Sequence, residues 1–365
     1  MRIEEICTYA PKSTIKAGDA EPEGQYMFFT SSEDESKRYS DYQIDGEGII
    51  MGTGGNATLH YYNGKFAVST DCVVLLPDNR VRCKYLYYFF LANMHLLEAG
   101  FKGAGLKHTS KKNIGSIEMK KIPSLNTQDK VISVLDSLNV IIQMRNNQLS
   151  IFDDLIKARF VEMFGDPVCN KKNWPTKPLN DICSTIVDCP HSTPNYTYDN
   201  TGYMCIRTSI VKKNRILWDE IEYISKMEYE QRIQRKRPEK GDVIYTREGA
   251  ILGIAAVIDR DCNVALGQRS MLLSPDKAYC TPEFLSVAMN FDSFLSSALK
   301  GISGSASPHI NVGDIKAFEM IMPPIKKQEQ YSVFVAQVND SKAVVQKFLD
   351  EAQLLFDSLM QQYFG

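Results

Sequence analysis

Phe101-Lys102-Gly103-Ala104-Gly105 carries the F-x-G-x-G spacing of a methyltransferase cofactor loop. Such a loop follows a buried strand and opens a helix, so that bare backbone approaches the cofactor. Here the preceding stretch, Lys84 to Ala99, reads instead as an aromatic-rich helix closed by Gly100. A second, similarly placed loop at Gly301 lacks the pattern. No N/D-P-P-Y/F motif is present to hold a target base; Met322-Pro323-Pro324-Ile325 has the prolines without the polar residue. The histidines, His60, His95, His108, His191 and His309, show no H-x-x-x-H metal spacing. Glu33-Asp34-Glu35 reads as a solvated acidic turn, and there is no P-loop or nucleophile elbow. The chain reads as non-catalytic, with no cofactor of its own.

The loop after the aromatic helix offers a different chemistry. From Lys102 to Lys121 there are six lysines and one acid, Glu118. Glycine backbone, hydroxyls and lysines together suit phosphate contacts. The same composition also suits a solvated surface loop. Lys300 to His309 is its counterpart in the second half. There, Arg232, Arg235, Lys236 and Arg237 precede Gly241-Asp242-Val243-Ile244-Tyr245-Thr246-Arg247-Glu248-Gly249, a strand ending in a turn. Gly46-Glu47-Gly48-Ile49-Ile50-Met51-Gly52-Thr53-Gly54 fills the same slot in the first half.

These correspondences belong to a longer repeat. Pro123-Ser124-Leu125-Asn126-Thr127-Gln128 opens a helical pattern that closes on Met163-Phe164-Gly165. At an offset of 200, Pro323-Pro324-Ile325-Lys326-Lys327-Gln328 opens one that closes on Tyr363-Phe364-Gly365. A repeat of this length means two copies of one unit. Apolar residues recur every seventh position in both, a heptad stripe interrupted by Arg145, Arg159 and Lys342. Each helix of about 37 residues is roughly 55 Å long. The residues expected to pack are Leu135, Leu138, Ile142, Leu149, Phe152 and Ile156 in the first. In the second they are Val335, Val338, Val345, Leu349, Phe356 and Leu359. Such a stripe packs either on the other copy, as an antiparallel pair, or on its own globular unit.

Composition limits the alternatives. With 42 Lys+Arg against 44 Asp+Glu, the formal charge of −2 carries no overall basic signature, so nucleic acid would be met by local patches. The nine cysteines include no C-x-x-C pair and read as reduced thiols. No stretch reaches the roughly 18 apolar residues of a membrane span. Met1-Arg2-Ile3-Glu4-Glu5 has none of the apolar character of a signal peptide. A cytoplasmic location, away from membranes, is expected.

The order and duplication of these motifs resemble the specificity subunit of type I restriction–modification systems, over essentially the whole chain. The carrying residues are Pro123-x-Leu125-x-x-Gln128, Pro323-Pro324-Ile325-x-x-Gln328, Phe164-Gly165-Asp166-Pro167, Trp174 and Lys240-Gly241-Asp242-Val243-Ile244. In one departure, the first unit is shorter ahead of Gly46 and has no tryptophan lead-in. The resemblance implies an α+β chain of two target-recognition domains with mixed β-sheets. Each domain is followed by a long spacer helix, and the two helices pair as an antiparallel coiled coil. The boundaries expected are 1–122 and 175–322 for the recognition domains, 123–165 and 323–365 for the helices, and 166–174 for the linker. It further implies double-stranded DNA as ligand, two modification subunits that bind S-adenosylmethionine and methylate adenine, and a restriction subunit as partners. Two dissimilar readers imply an asymmetric bipartite target, with half-sites roughly 10 bp apart. Candidate DNA contacts are Thr53, Asn56, Lys102, Lys107, His108, Thr109, Ser110, Lys111 and Lys112 in the first unit. In the second they are Arg207, Arg235, Lys236, Arg237, Thr246, Arg247, Lys300, Ser303, Ser305, Ser307 and His309. A coiled-coil adaptor that binds no DNA is the competing reading, and a methyltransferase using Phe101 to Gly105 the remote one.

Overall fold

Apolar runs of period two, broken by glycine turns, build the first sheet. The computed structural model describes residues 1–103, 105, 107–300 and 309–365. The runs form β1 (Cys7–Tyr9), β2 (Tyr26–Phe29), β3 (Arg38–Tyr39), β4 (Ile44–Gly52), β5 (Leu59–Val68) and β6 (Cys72–Pro77). Their order is β1-β6-β4-β5-β2-β3, with β2 parallel to β5 and the other neighbours antiparallel. Alternation sends Ile49 and Leu75 to one apolar cluster and Ile50 and Val74 to another. Leu86 and Phe90 fill the first cluster from the aromatic helix. That helix is expected to be continuous but divides into α1 (Cys83–Ala92) and α2 (Met94–Glu98). The break is at Asn93, whose side-chain amide donates to the carbonyls of Phe89 (3.0 Å) and Phe364 (3.1 Å). A short α3 (Lys111–Gly115) precedes the first long helix, α4 (Leu125–Phe164).

The second half starts with β7 (Thr176–Pro178), α5 (Leu179–Ile182), β8 (Cys183–Asp188) and β9 (Met204–Ile206). It continues with β10 (Val211–Lys212), β11 (Arg215–Ile216), β12 (Glu222–Tyr223), α6 (Lys226–Arg232), β13 (Val243–Thr246) and β14 (Ala255–Val257). Then come β15 (Val264–Leu266), β16 (Ser270–Pro275), α7 (Pro282–Met289), α8 (Asp292–Ala298), α9 (Val312–Lys316), β17 (Glu319–Ile321) and the second long helix, α10 (Ile325–Phe364). The main sheet runs β14-β13-β16-β8, and a smaller one runs β12-β9-β15 with β9 parallel to β15. As in the first half, the strand at the glycine-rich slot (β4, β13) is internal to its sheet. Again the aromatic helix breaks, between α7 and α8, after Asn290. That side chain is buried and bonds both the N–H (2.9 Å) and the C=O (2.8 Å) of Ala255.

The residues group into two units, 1–147 with 346–365, and 148–345, so each long helix contributes a part to each unit. In the first unit, Val131, Leu135 and Leu138 of α4 share a core with Phe356, Met360 and Phe364 of α10. In the second, Ile156, Phe160 and Phe164 of α4 pack with Tyr331, Val335 and Val338 of α10. The Tyr331 hydroxyl donates to the Ile156 carbonyl at 3.0 Å. Within each unit the N-terminal part of one helix meets the C-terminal part of the other, so the pairing is antiparallel. Val345 is buried as expected, while Ile142, Leu149, Phe152, Leu349 and Leu359 are half-buried. The seven-residue rows fall one residue short at the C-terminal end of each helix. Phe160, Phe164, Met360 and Phe364 are buried where the rows point to Arg159, Met163, Leu359 and Tyr363. An α-helix of 3.6 residues per turn drifts about 20° per heptad from a 3.5 repeat, so spacings of four take over. The ends also dock on the globular cores: Phe364 lies 5.0 Å from Tyr85, and Phe164 5.0 Å from Phe284.

Candidate nucleic-acid interface

In the first unit, the loop after α2 turns back and zips onto the turn that ends β4. Lys102 and His108 exchange backbone hydrogen bonds of 2.9 and 3.0 Å, so Phe101-Lys102-Gly103 opens a hairpin and not a helix. The Gly55 N–H donates to the Lys107 carbonyl (2.9 Å), and the Thr109 N–H to the Thr53 carbonyl (3.0 Å). The Ser31 hydroxyl holds the turn through the Gly54 carbonyl at 2.6 Å. Four predicted contacts, Thr53, Lys107, His108 and Thr109, are thereby brought together. Asn56, Lys102, Lys107, His108 and Lys112 are exposed.

Ser110, Thr53 and Lys111 have structural partners, and Thr109 is turned inward. The Ser110 hydroxyl caps α3 by accepting the Asn113 N–H at 3.3 Å. The Thr109 hydroxyl is buried and has no partner among the described residues. The Thr53 hydroxyl donates to the Asp71 carbonyl at 2.9 Å. Lys111 places its ammonium 4.8 Å over the Tyr9 ring, and the Tyr9 hydroxyl donates to the Lys111 carbonyl at 2.8 Å. Burial pushes the Tyr9 phenol up to about 12.

The second unit repeats the arrangement with different residues. His309 bridges Glu248, as His108 bridges Gly54, and the Ile310 N–H donates to the Arg247 carbonyl at 2.9 Å. His309 and Lys300 are exposed; Ser303, Ser305 and Ser307 lie outside the described residues. Two expected contacts face inward. Thr246 is fully buried and closes the following turn, its hydroxyl accepting the Ile254 N–H at 2.9 Å. Arg247 is 7% exposed, and its fork grips both oxygens of Asp188, at 2.9 and 3.1 Å. A buried guanidinium needs that carboxylate to offset desolvation, so Arg247 braces the turn and does not face a ligand.

Four further cations have partners. Arg207 donates to Glu222 at 2.5 Å and lies 4.6 Å over the Tyr196 ring. Arg235 donates to the Asp188 carbonyl at 3.3 Å, and Arg237 to the Asn263 side chain at 3.0 Å. Lys236 is held between Glu239 (3.0 Å) and Asp242 (3.5 Å). Arg207, Arg235 and Arg237 nevertheless remain exposed.

β8, β9, β13 and β15 all end on this edge, because β9 and β15 are parallel and β8 and β13 both run antiparallel to β16. The edge therefore also carries residues that the sequence reading missed: His191, Gln268 and Arg269. His191 lies 3.2 Å from Asp188, and Thr193 donates to the Gln268 side chain at 3.0 Å. The available signal was Gly267-Gln268-Arg269 between two apolar runs, which is turn punctuation. Among the described residues, no group of three His, Cys, Asp or Glu side chains is placed to hold a metal ion.

The family model described as the type I restriction modification DNA specificity domain matches residues 1–150 and again 171–351. Among curated relatives, S.MpnORF615P of Mycoplasma pneumoniae (strain ATCC 29342 / M129 / Subtype 1), named as a type I specificity subunit, is 31% identical over 147 residues. That match spans 37% of this chain and 58% of the relative. The EcoDI specificity subunit of Escherichia coli is 24% identical over 143 residues, 39% of this chain and 32% of that subunit. The matched stretch is thus less than two thirds of either relative. In fold, the S subunit of a type I restriction–modification system from M. genitalium superposes with a TM-score of 0.67 at 13% identity, covering 100% of this chain and 95% of that one. With the family model matching twice and accounting for most of the sequence, the chain belongs to the type I restriction–modification DNA specificity family.

Proposed function

We propose that this chain is the DNA-reading subunit of a type I restriction–modification complex, and that each unit reads one half of an asymmetric, bipartite duplex target. One observation carries the reading. The same bridged turn occurs in both units, with different side chains on it: Thr53 and Gly54 against His108, and Arg247 and Glu248 against His309. A shared backbone with dissimilar side chains suits two readers of unlike sequences. Phosphate contacts from Lys102, Lys107 and Lys112, and from Lys300, would set affinity, and groups on the same edges would set sequence preference.

Catalysis would be supplied by partners, with S-adenosylmethionine on two modification subunits and a restriction subunit joining them. The long helices favour two equivalent docking places. Met144 and Leu355 are exposed in the first unit, and Leu155 and Val344 in the second, each residue matching one in the other unit at the 200-residue offset. Large apolar side chains left in solvent at repeated positions fit a protein partner. Methylome sequencing of a host carrying this chain with its modification subunits tests the proposal. A bipartite, asymmetric methylated motif that disappears with this gene supports it. A palindromic motif, or methylation independent of the chain, contradicts it.

A further inference from the structure

The four arginines and Lys236 picked out by sequence in the second unit are each bound to a partner, whereas one arginine that was not picked out has an uncommitted side chain. Arg269 is exposed, and its side chain has no hydrogen-bond or ion-pair partner among the described residues. It also holds a left-handed backbone, φ 69°, where a side chain other than Gly, Asn or Asp costs energy. Residues kept in such conformations cluster at binding sites, where surrounding structure holds them in place.

Here the surroundings are visible. Gly267-Gln268-Arg269 is the whole link between β15 and β16, crossing from the small sheet to the main one. At Gly267 a Cβ would lie 2.8 Å from the Tyr196 hydroxyl and 2.9 Å from the Ile206 carbonyl, so the link is clamped against β9. The Arg269 carbonyl accepts the Arg247 N–H at 3.1 Å, and Arg247 is itself locked to Asp188. The Arg269 side chain lies over Gly249, its Nη1 3.5 Å from where a Cβ would sit. A free guanidinium therefore stands on a rigid, strained support, beside the turn that His309 bridges. Gln268 adds an amide whose oxygen is taken by Thr193 and whose N–H donors have no partner among the described residues.

Resting on the specificity reading above, we propose that Arg269 is a base-reading residue of the second unit and takes a guanine in the major groove. A planar fork with its donors uncommitted matches guanine O6 and N7 in a bidentate pair, and preorganisation of its backbone favours one base position over diffuse phosphate contact. Arg247, the more obvious sequence candidate, serves as its support.

The test uses the full chain assembled with its modification subunits and compares the parent with Arg269→Ala, Arg269→Lys and Arg269→Gly. The Gly variant guards against misfolding, since glycine takes this φ without strain and should melt no lower than the parent. The expected result is a motif degenerate at one G·C pair, in one half-site only. Affinity for the cognate duplex should fall about ten- to hundredfold, with non-specific affinity nearly unchanged. An unchanged motif in Arg269→Gly would overturn the assignment. So would equal weakening on all duplexes with a salt slope lower by about one, the mark of a phosphate contact. A parent complex with no sequence preference would remove the specificity reading itself, and this assignment with it.

Discussion

Gln128 and Gln328, 200 residues apart in sequence, are both fully buried and make the same three hydrogen bonds. Gln128 accepts the Arg82 N–H (2.7 Å) and donates to the carbonyls of Arg80 (3.1 Å) and Pro123 (2.8 Å). Gln328 accepts the Thr281 N–H (3.1 Å) and donates to the carbonyls of Tyr279 (3.0 Å) and Pro323 (2.9 Å). Each glutamine ties the start of a long helix to the start of α1 or α7. Replacement by Leu would strand buried backbone groups at about 1–3 kcal/mol each. Gln128→Leu should lower the urea midpoint and speed hydrogen exchange at the Arg82 amide. Exchange there at the parent rate would mean that the bond is dispensable.

The helix pair should respond unevenly along its length. Leu135 is fully buried and Leu149 half-buried. Leu135→Ala should cost about 2–5 kcal/mol, in the range of core truncations, and Leu149→Ala clearly less. Equal losses in denaturant titrations would show that the stripe packs as a uniform heptad seam and does not drift.

Much of the helix pair was legible in the sequence because its signals are local: Pro-x-x-x-x-Gln openings, apolar periodicity and a shared ending. What escaped depends on distant partners. No local pattern buries Arg247; Asp188, brought in by β8, does that. No pattern splits the aromatic helices at Asn93 and Asn290 either, since the Phe364 and Ala255 backbones receive those side chains. Thr246 looked like a turn hydroxyl open to a ligand because its bond to Ile254 spans a loop with no regular period. Arg269 was missed because a backbone dihedral, and the lack of an ion-pair partner among the described residues, cannot be read from residue types.

Alkaline pH should unfold this chain early. Burial pushes the thiols of Cys7, Cys83, Cys183 and Cys205 up to about 12, and that of Cys72 up to about 11. An unfolded thiol ionises near pH 8.5. The unfolded state then binds fewer protons than the folded one, so stability falls as pH rises. The contribution is complete below about pH 8.5 and lost on the way to pH 11–12. Urea midpoints should fall between about pH 8 and about pH 10, on either side of the ~8.5 of a free thiol. Exposed Cys169 should be alkylated well ahead of the buried thiols. A flat pH profile, or labelling of Cys205 as fast as Cys169, would contradict this.

The lysine loop should act on affinity and not on sequence preference. Lys107→Ala and Lys112→Ala should each weaken binding similarly on every duplex and lower the salt slope by about one. Lys111→Ala should do less, because its ammonium already sits over Tyr9. A salt slope equal to the parent's in Lys107→Ala would return this loop to the solvated surface.

Methylome sequencing of a domain exchange tests the central proposal, one reader per unit, most directly. Residues 175–322 would be replaced by the matching segment of another specificity subunit, and the chimera expressed with its modification subunits. The predicted result is a motif in which one half-site is new and the other, assigned to residues 1–122, is identical to the parent's. A change in the half-site assigned to residues 1–122, or a chimera that methylates the parental motif unchanged, would contradict it.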